Sequence, residues 1–282
     1  MSLRAFSQDD IEVGMLLKDS EGWNQISQDW QCLLNLEPQG CFAAELEGRC
    51  VATATAVNYE GRFGWVGMVL VDPKFRHQGI ATQMVEHTVD YLQTNGCQCQ
   101  KLDATYAGAR VYEKMGFTVE YEVQRWTVNL SAKVVEMDSA GLSLLTTDSL
   151  EVGTGIDRAA FGASRRELLH WYSSNEAPGF YLKDSQRMAG YILGRPGSGA
   201  WQMGPLVASD TAVAQNLINA YLSGINSGSV IADVVADNKK AVSLLQGLGF
   251  EKHRVLYRMF RGENRWPGRP DQIFCLAGFE YG

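Results

Sequence analysis

The stretch from Trp65 to Leu92 constrains this chain more than any other. It opens on an apolar, β-rich run, Trp65-Val66-Gly67-Met68-Val69-Leu70-Val71. Asp72-Pro73 ends the strand, because proline cannot donate to a ladder. A basic loop follows, Lys74-Phe75-Arg76-His77-Gln78-Gly79-Ile80-Ala81-Thr82, and Ile80, Met84, Val85, Val89 and Leu92 then recur at helical spacing. The order is strand, glycine-bearing loop, helix. The first amides of a helix have no partner within it, and the helix dipole adds positive potential there, so such an end can hold an anion. Gly79 and Ala81 let a ligand come close to the backbone, and Arg76 and His77 add donors at the rim. On the loop alone two readings stand: a cradle for a pyrophosphate, or a tight strand-to-helix turn. There is no Gly-Lys-Ser/Thr of a P-loop and no Gly-x-Gly-x-x-Gly of a dinucleotide fold.

The flanking segments give this unit its setting. Residues 1–8 read as a first strand, with Leu3 to Phe6 alternating, and Gln8-Asp9-Asp10 caps a helix over about Ile11 to Lys18. A second helix lies around Gln28 to Asn35 and is broken by Pro38-Gln39-Gly40. Cys41 to Leu46, Cys50 to Val57 and the Trp65 run are joined by the turns Glu47-Gly48-Arg49 and Glu60-Gly61-Arg62, an antiparallel meander. Asn95-Gly96 closes the long helix. Cys99 to Thr105 reads as a strand, Ala107 to Met115 as a short helix and Thr118 to Val128 as a last strand.

The run Val71-Asp72-Pro73-x-Phe75-Arg76-x-x-Gly79-Ile80-Ala81 resembles the coenzyme A loop of the GNAT superfamily of N-acetyltransferases, Arg/Gln-x-x-Gly-x-Gly/Ala after a strand. Ala109 to Phe117 resembles the family's second signature, Asn-x-x-Ala-x-x-Leu-Tyr-x-x-x-Gly-Phe, with Tyr112 at the tyrosine. Thr105 replaces the expected asparagine and Gly108 the expected alanine. The resemblance implies a mixed α/β (α+β) fold, a mostly antiparallel sheet with a central, splayed parallel strand pair and flanking helices. It implies acetyl-CoA as cosubstrate and no metal. By position, Val69, Leu70 and Val71 would hold the pantetheine arm, Arg76, His77, Gln78, Gly79, Ile80, Ala81 and Thr82 the pyrophosphate, and Tyr112 would protonate the departing sulfur. An ordinary core tyrosine is the alternative for Tyr112.

The second half carries an echo. Trp201 to Ala208 parallels the Trp65 strand, a helix over Leu217 to Gly228 parallels Met84 to Gly96, and Asn238-x-x-Ala241-x-x-Leu244-Leu245-x-x-x-Gly249-Phe250 matches the second signature, with leucine at the tyrosine position. Its loop, Ser209-Asp210-Thr211-Ala212-Val213-Ala214, has neither glycine nor arginine and adds an acid. The chain thus resembles a tandem GNAT protein: residues 1–130 form the acetyl-CoA-binding catalytic domain and residues 131–282 a degenerate GNAT-like domain. Residues 129–150 read as a linker or early strands, with a helix starting near Thr147, and the apolar run after Pro270 returns onto the second sheet or reaches a cleft.

Composition sets outer bounds. The 282 residues are 45% hydrophobic and 20% charged, with no apolar run of spanning length, so a cytoplasmic protein without membrane partners is expected. Six cysteines and four histidines show no zinc spacing, and free thiols fit a reducing compartment. A net charge of −7 with no basic stripe argues against nucleic acid and mildly favours a cationic substrate. The expected activity is transfer of an acetyl group to a primary amine of a small or amino-acid-like acceptor. The alternatives are a non-catalytic acyl-CoA-binding or regulatory protein, and a purely structural α/β protein. Assembly as a homodimer is left open. The general base has no clear candidate; Glu45 is the one named, against its reading as a solvated hairpin carboxylate. His170, Trp171 and Tyr172 are suggested as pocket lining, or as packing.

Overall fold

The computed structural model describes residues 1–130, 141–174, 177–184 and 187–282. In chain order the first half forms β1 (Ser2–Ala5), α1 (Ile11–Ser20), α2 (Ser27–Leu36), β2 (Cys41–Leu46), β3 (Arg49–Tyr59), β4 (Phe63–Val71), α3 (Ile80–Thr94), β5 (Cys99–Ala104), α4 (Tyr106–Lys114) and β6 (Thr118–Leu130). The second half forms β7 (Leu142–Leu144), α5 (Thr147–Phe161), α6 (Arg166–Ser173), β8 (Phe180–Asp184), β9 (Arg187–Arg195), β10 (Trp201–Ala208), α7 (Thr211–Ser223), β11 (Gly228–Val235), α8 (Lys239–Gly247), β12 (Glu251–Gly262) and β13 (Ile273–Cys275). The expected linker therefore contains the end of β6, β7 and the start of α5, and its residues 131–140 lie outside the described residues.

The meander and the long helix of the first half follow the sequence pattern closely. One helix expectation needs correction. The second-half helix ends at Ser223, where Gly224 follows, and not at Gly228, which opens β11. The Ser227-Gly228 pair imitates Asn95-Gly96 in letters only: Gly96 takes φ +87 just after α3, while Gly228 begins a strand.

The expected division at residue 130 is also corrected. The chain forms two compact units, and neither is a continuous half: unit 1 is residues 1–120, 257–265 and 280–282, and unit 2 is residues 121–256 and 266–279. The reason is a strand exchange. In unit 1, β5 pairs antiparallel with β12 from the far end of the chain; in unit 2, β11 pairs antiparallel with β6 from the first half. Each exchanged strand is fixed by a buried ion pair between residues directly across the ladder. Arg258 on β12 opposes Asp103 on β5, with Nε–Oδ1 at 2.9 Å and Nη2–Oδ2 at 2.8 Å, and its guanidinium lies 4.5 Å over the Trp65 ring. Arg125 on β6 opposes Asp233 on β11 in the same bidentate geometry, at 2.8 and 2.7 Å.

Within unit 1 the strands run in the order β1, β2, β3, β4, β5, β12, antiparallel except for β4 and β5. Met84, Val85, Val89 and Leu92 of α3 are fully buried against Ala52, Ala54, Ala56 and Val66. The helix sits close because Gly64 has no side chain; a Cβ there would fall 2.4 Å from Leu92 Cδ2. In unit 2 the order is β6, β11, β10, β9, β8, β7, again with one parallel pair, β10 and β11. Its core joins Leu217, Ile218 and Tyr221 of α7 to Ile192, Leu206, Val230 and Val234. Both units are thus mixed α/β, with mostly antiparallel sheets flanked by helices.

Candidate active site

In unit 1 the two parallel strands part company. β4 and β5 pair at Gly64 with Gln100 and at Trp65 with Lys101, and among the described residues no strand pairs with the rest of β4 on that side. A register shift between Thr53 and Thr55 on the neighbouring β3 marks a bulge, and Met68 takes φ +48 within it. Thr53 Oγ1 donates to the Met68 carbonyl at 2.8 Å and braces the distortion. Beyond it, the Asp72 N–H donates to Val51 on β3. Backbone groups alternate along a strand, so those of Val71 point away from β3, and Val69, two residues back, shares the open edge. Leu70 turns its amide to β3 and its side chain into the core, 2% exposed. Val69 and Val71 therefore line the opening with main-chain groups, and Leu70 supports them from behind.

The loop below that edge is a set of uncommitted donors. His77 takes φ +62 and Gly79 φ +78, so Gly79 serves as the left-handed residue that starts α3. Among the described residues, none of the main-chain N–H groups from His77 to Thr82 donates a hydrogen bond; the first helical bond is Gln83 N–H to Gly79 O. A Cβ added at Gly79 would meet nothing nearer than Gln83 Nε2 at 4.0 Å, so space lies open beside the amides. His77, Gln78 and Gly79 are exposed, Ala81 and Thr82 half-buried and Ile80 buried on the core side. Six main-chain N–H groups without an acceptor thus run in sequence into a helix N-terminus, the kind of end that attracts an anion. Arg76 differs from the expectation of a rim donor. Its Nε donates to Val71 O at 3.1 Å and its Nη2 to Glu21 at the end of α1, so its side chain braces the loop.

Tyr112 stands on α4, its ring 6.0 Å from that of Phe117, and its hydroxyl makes no hydrogen bond among the described residues. Loss of solvent pushes its pKa up to about 12, so the phenol keeps its proton through the neutral range. The two departures from the second signature are both used locally. Thr105 caps α4, accepting from the Gly108 N–H at 3.2 Å. A Cβ at Gly108 would press 3.3 Å from Tyr112 Cε2, so the glycine makes room for the tyrosine ring.

Two further expectations fall to the packing. Glu45 is no free base: its Oε2 accepts from Arg4 Nε at 2.9 Å, and Arg4 also grips Asp10 at 2.7 and 2.8 Å. The Arg4 hydrogen bonds, with those from Ser7, hold the Asp10 carboxyl below its ordinary range against its burial, which pulls the other way. In unit 2, His170 pairs with Glu151 at 2.9 Å, and Tyr172 is wholly buried with its hydroxyl on the Ala277 carbonyl, so these serve α6 packing.

The corresponding place in unit 2 is filled. β10 pairs with β11 at Trp201, Gln202 and Met203, and beyond that point β13 lies along β10, Leu206 opposite Cys275 and Val207 opposite Ile273. The Leu276 N–H bonds to Asp233 O of β11 at 2.8 Å, so the chain's own tail sits in the gap between the parallel strands. Asn238, at the signature asparagine, donates to the carbonyls of Pro270, Asp271 and Ile273 at 3.2, 3.3 and 2.9 Å. At the head of α7, Asp210 caps the helix by accepting from Val213 N–H at 3.0 Å, which also lowers its own pKa. Among the described residues, β13 takes the strand edge there and Asp210 caps the helix end.

Among the described residues, no cluster of three His, Cys, Asp or Glu side chains could hold a metal, and no helix is long and apolar enough to cross a membrane.

Comparison with known proteins finds relatives of both halves of the chain. Residues 11–117 match the acetyltransferase (GNAT) family, and residues 154–275 match an acetyltransferase (GNAT) domain. A holothin acyltransferase from a Pseudoalteromonas strain is 24% identical over 265 residues, covering 93% of this chain and 88% of that protein. An acetyltransferase from Pectobacterium atrosepticum is 31% identical over 101 residues, 34% of this chain and 71% of its own length. Among solved structures, a Pyrococcus horikoshii protein assigned as an acetyltransferase superposes with a TM-score of 0.87 at 20% identity, over 100% of this chain and 95% of that one. A tandem GNAT protein from the clavulanic acid biosynthesis pathway superposes with a TM-score of 0.68 at 15% identity, over 93% and 98% of the two chains. With one open strand edge and one closed by its own tail, the chain belongs to the GNAT family of acetyltransferases, as a tandem of two such folds.

Proposed function

We propose that the protein moves the acetyl group of acetyl-CoA to a primary amine of a small-molecule or amino-acid-like acceptor, at the site of unit 1, with both bound together. The observation that carries this is the open edge of β4 leading through Pro73 into six uncommitted amides, a combination not found among the described residues of unit 2. The name of the relative that acts on holothin supports acyl transfer over simple binding. We place the reaction in the cytoplasm, where six cysteines outside any disulfide would stay reduced.

Bound acetyl-CoA would supply an activated thioester. The amides from His77 to Thr82 would hold its pyrophosphate, and the Val69 and Val71 edge would hold the pantetheine arm and polarise the carbonyl. Holding donor and acceptor together replaces a bimolecular encounter by an oriented one. Tyr112 would give its hydroxyl proton to the departing sulfur, a task suited to a phenol that stays protonated.

The test is calorimetric binding of acetyl-CoA together with thiol release over a panel of amines. Tyr112→Phe should lower kcat by a factor of about 10²–10⁴, the usual reach of a positioned acid, and leave acetyl-CoA affinity unchanged. Unchanged turnover removes Tyr112 from the reaction. A wild-type protein that ignores acetyl-CoA sinks the proposal.

A further inference from the structure

At its bulge, β4 carries one residue more than β3 opposite it. Thr55 pairs with Gly67 and Thr53 with Leu70, so Ala54 alone lies across from both Met68 and Val69. The extra residue turns the strand over. Before it, Gly64 and Val66 face α3; after it, Val69 and Val71 pack against the same core. The turn is made at Met68, whose φ of +48 is a left-handed conformation that bulges of this kind give to glycine. Methionine has a Cβ that opposes this conformation, so its neighbours must hold it there.

Thr53 supplies that hold. Ala52, Ala54 and Ala56 of β3 belong to the core under α3, so Thr53 and Thr55 lie on the opposite face of the strand. Thr53 is 0% exposed, and its Oγ1 donates to the Met68 carbonyl at 2.8 Å. That carbonyl and the Val69 N–H belong to one peptide unit. The unit is planar and trans, so its N–H points away from its C=O. Fixing the Met68 oxygen on the Thr53 side therefore fixes the Val69 N–H toward the other side, that of the open edge. Thr55 is the contrast: it is 1% exposed on the same face of β3, and its Oγ1 has no hydrogen-bond partner.

We infer that Thr53 is a positioning residue for the thioester: through the Met68–Val69 peptide it aims the Val69 N–H at the carbonyl oxygen of bound acetyl-CoA. This aim has meaning only on the acyl-transfer reading, which supplies the carbonyl. Without the Thr53 hydroxyl the peptide is free to rotate. The donor then loses the fixed orientation that makes it worth more than water, while the amides from His77 to Thr82 keep their place on the coenzyme.

Full-length wild type, Thr53→Val, Thr53→Ser and Thr55→Val are each loaded with acetyl-CoA isotopically labelled at the acetyl carbonyl, and its stretch is read by infrared difference spectroscopy. Calorimetry with CoA, which carries no acetyl group, reads the grip on the rest of the coenzyme. Thiol release over a panel of amines reads transfer. In the wild type the bound carbonyl should stretch at lower frequency than in free acetyl-CoA. Thr53→Ser, which keeps the hydroxyl, and Thr55→Val should keep that shift. Thr53→Val keeps the β-branched shape but not the donor; it should lose most of the shift and lower kcat by about 10-fold or more, with CoA affinity unchanged.

A Thr53→Val carbonyl that matches the wild type overturns the inference, and so does an unshifted carbonyl in a wild type that binds acetyl-CoA. Loss of the shift in Thr55→Val, or loss of CoA affinity in Thr53→Val, overturns it too, because either would make Thr53 ordinary support of the sheet. If Thr53→Val does not fold, Thr53→Ala decides on the same readings. A Thr53-dependent shift with no thiol release for any amine would leave the inference standing and remove the acyl-transfer reading. A wild type that ignores acetyl-CoA removes both.

Discussion

At the scale of single residues, the costliest features to remove are the two Arg–Asp pairs. The side chains of Asp103 and Arg258 are 0% and 4% exposed, and the pair is bidentate. A buried pair adds little net stability over apolar groups of like shape, because desolvation offsets the attraction; breaking it by removing one partner leaves a bare buried charge. Asp103→Asn should therefore cost about 3–5 kcal/mol, read as a lower urea midpoint, while Asp103→Leu with Arg258→Met should recover most of the loss. An Asp103→Asn protein as stable as wild type would show that Arg258 finds another counter-charge. Neither partner of this pair is legible in the sequence. Asp103 and Arg258 are 155 positions apart, and nothing local distinguishes either from a surface charge.

Between residues and elements, the site was legible where its meaning is local. Strand, proline, loop, Gly79 and helix lie in one continuous run, and each is fixed by backbone rules that act over a few residues. Thr105 and Gly108 read as departures in the sequence, yet one caps α4 and the other clears the Tyr112 ring. The Thr53 brace was invisible because it depends on which residue of β4 a register shift brings across from it. β13 was half legible: its apolar run reads as a strand that packs on the second sheet, but no local signal says that it enters the gap between two parallel strands. That insertion closes the second site at the level of elements, since the tail takes the β10 edge and Asp210 takes the helix-end amides. Acetyl-CoA should accordingly bind at one equivalent per chain by calorimetry. Asn238→Ala, which strips three bonds from the tail, should lower stability by about 1–3 kcal/mol without creating a second equivalent. Two equivalents in the wild type would contradict the closure of unit 2.

At the scale of the whole molecule, the strand exchange decides what can fold alone. Residues 1–130 contain every element of the open site but lack β12, and residues 131–282 contain the closed site but lack β6. Cut at 130, the first fragment would leave β5 with a bare edge and β6 with no β11 to join. An unpaired edge of that kind recruits other chains. The exchanged strands carry like anchors, Arg125 on β6 and Arg258 on β12, each made for an aspartate on the strand after a long helix. Either could in principle meet Asp103, and swaps of equivalent elements are a common route to association. Produced separately, the 1–130 fragment should self-associate or precipitate; produced together, the two fragments should purify as a 1:1 pair that binds acetyl-CoA as the intact chain does. Size-exclusion chromatography with light scattering reads both outcomes. A monomeric 1–130 fragment with undiminished acetyl-CoA affinity would mean that β6 can take the place of β12 beside β5, and that the exchange is a matter of linkage rather than of strand identity.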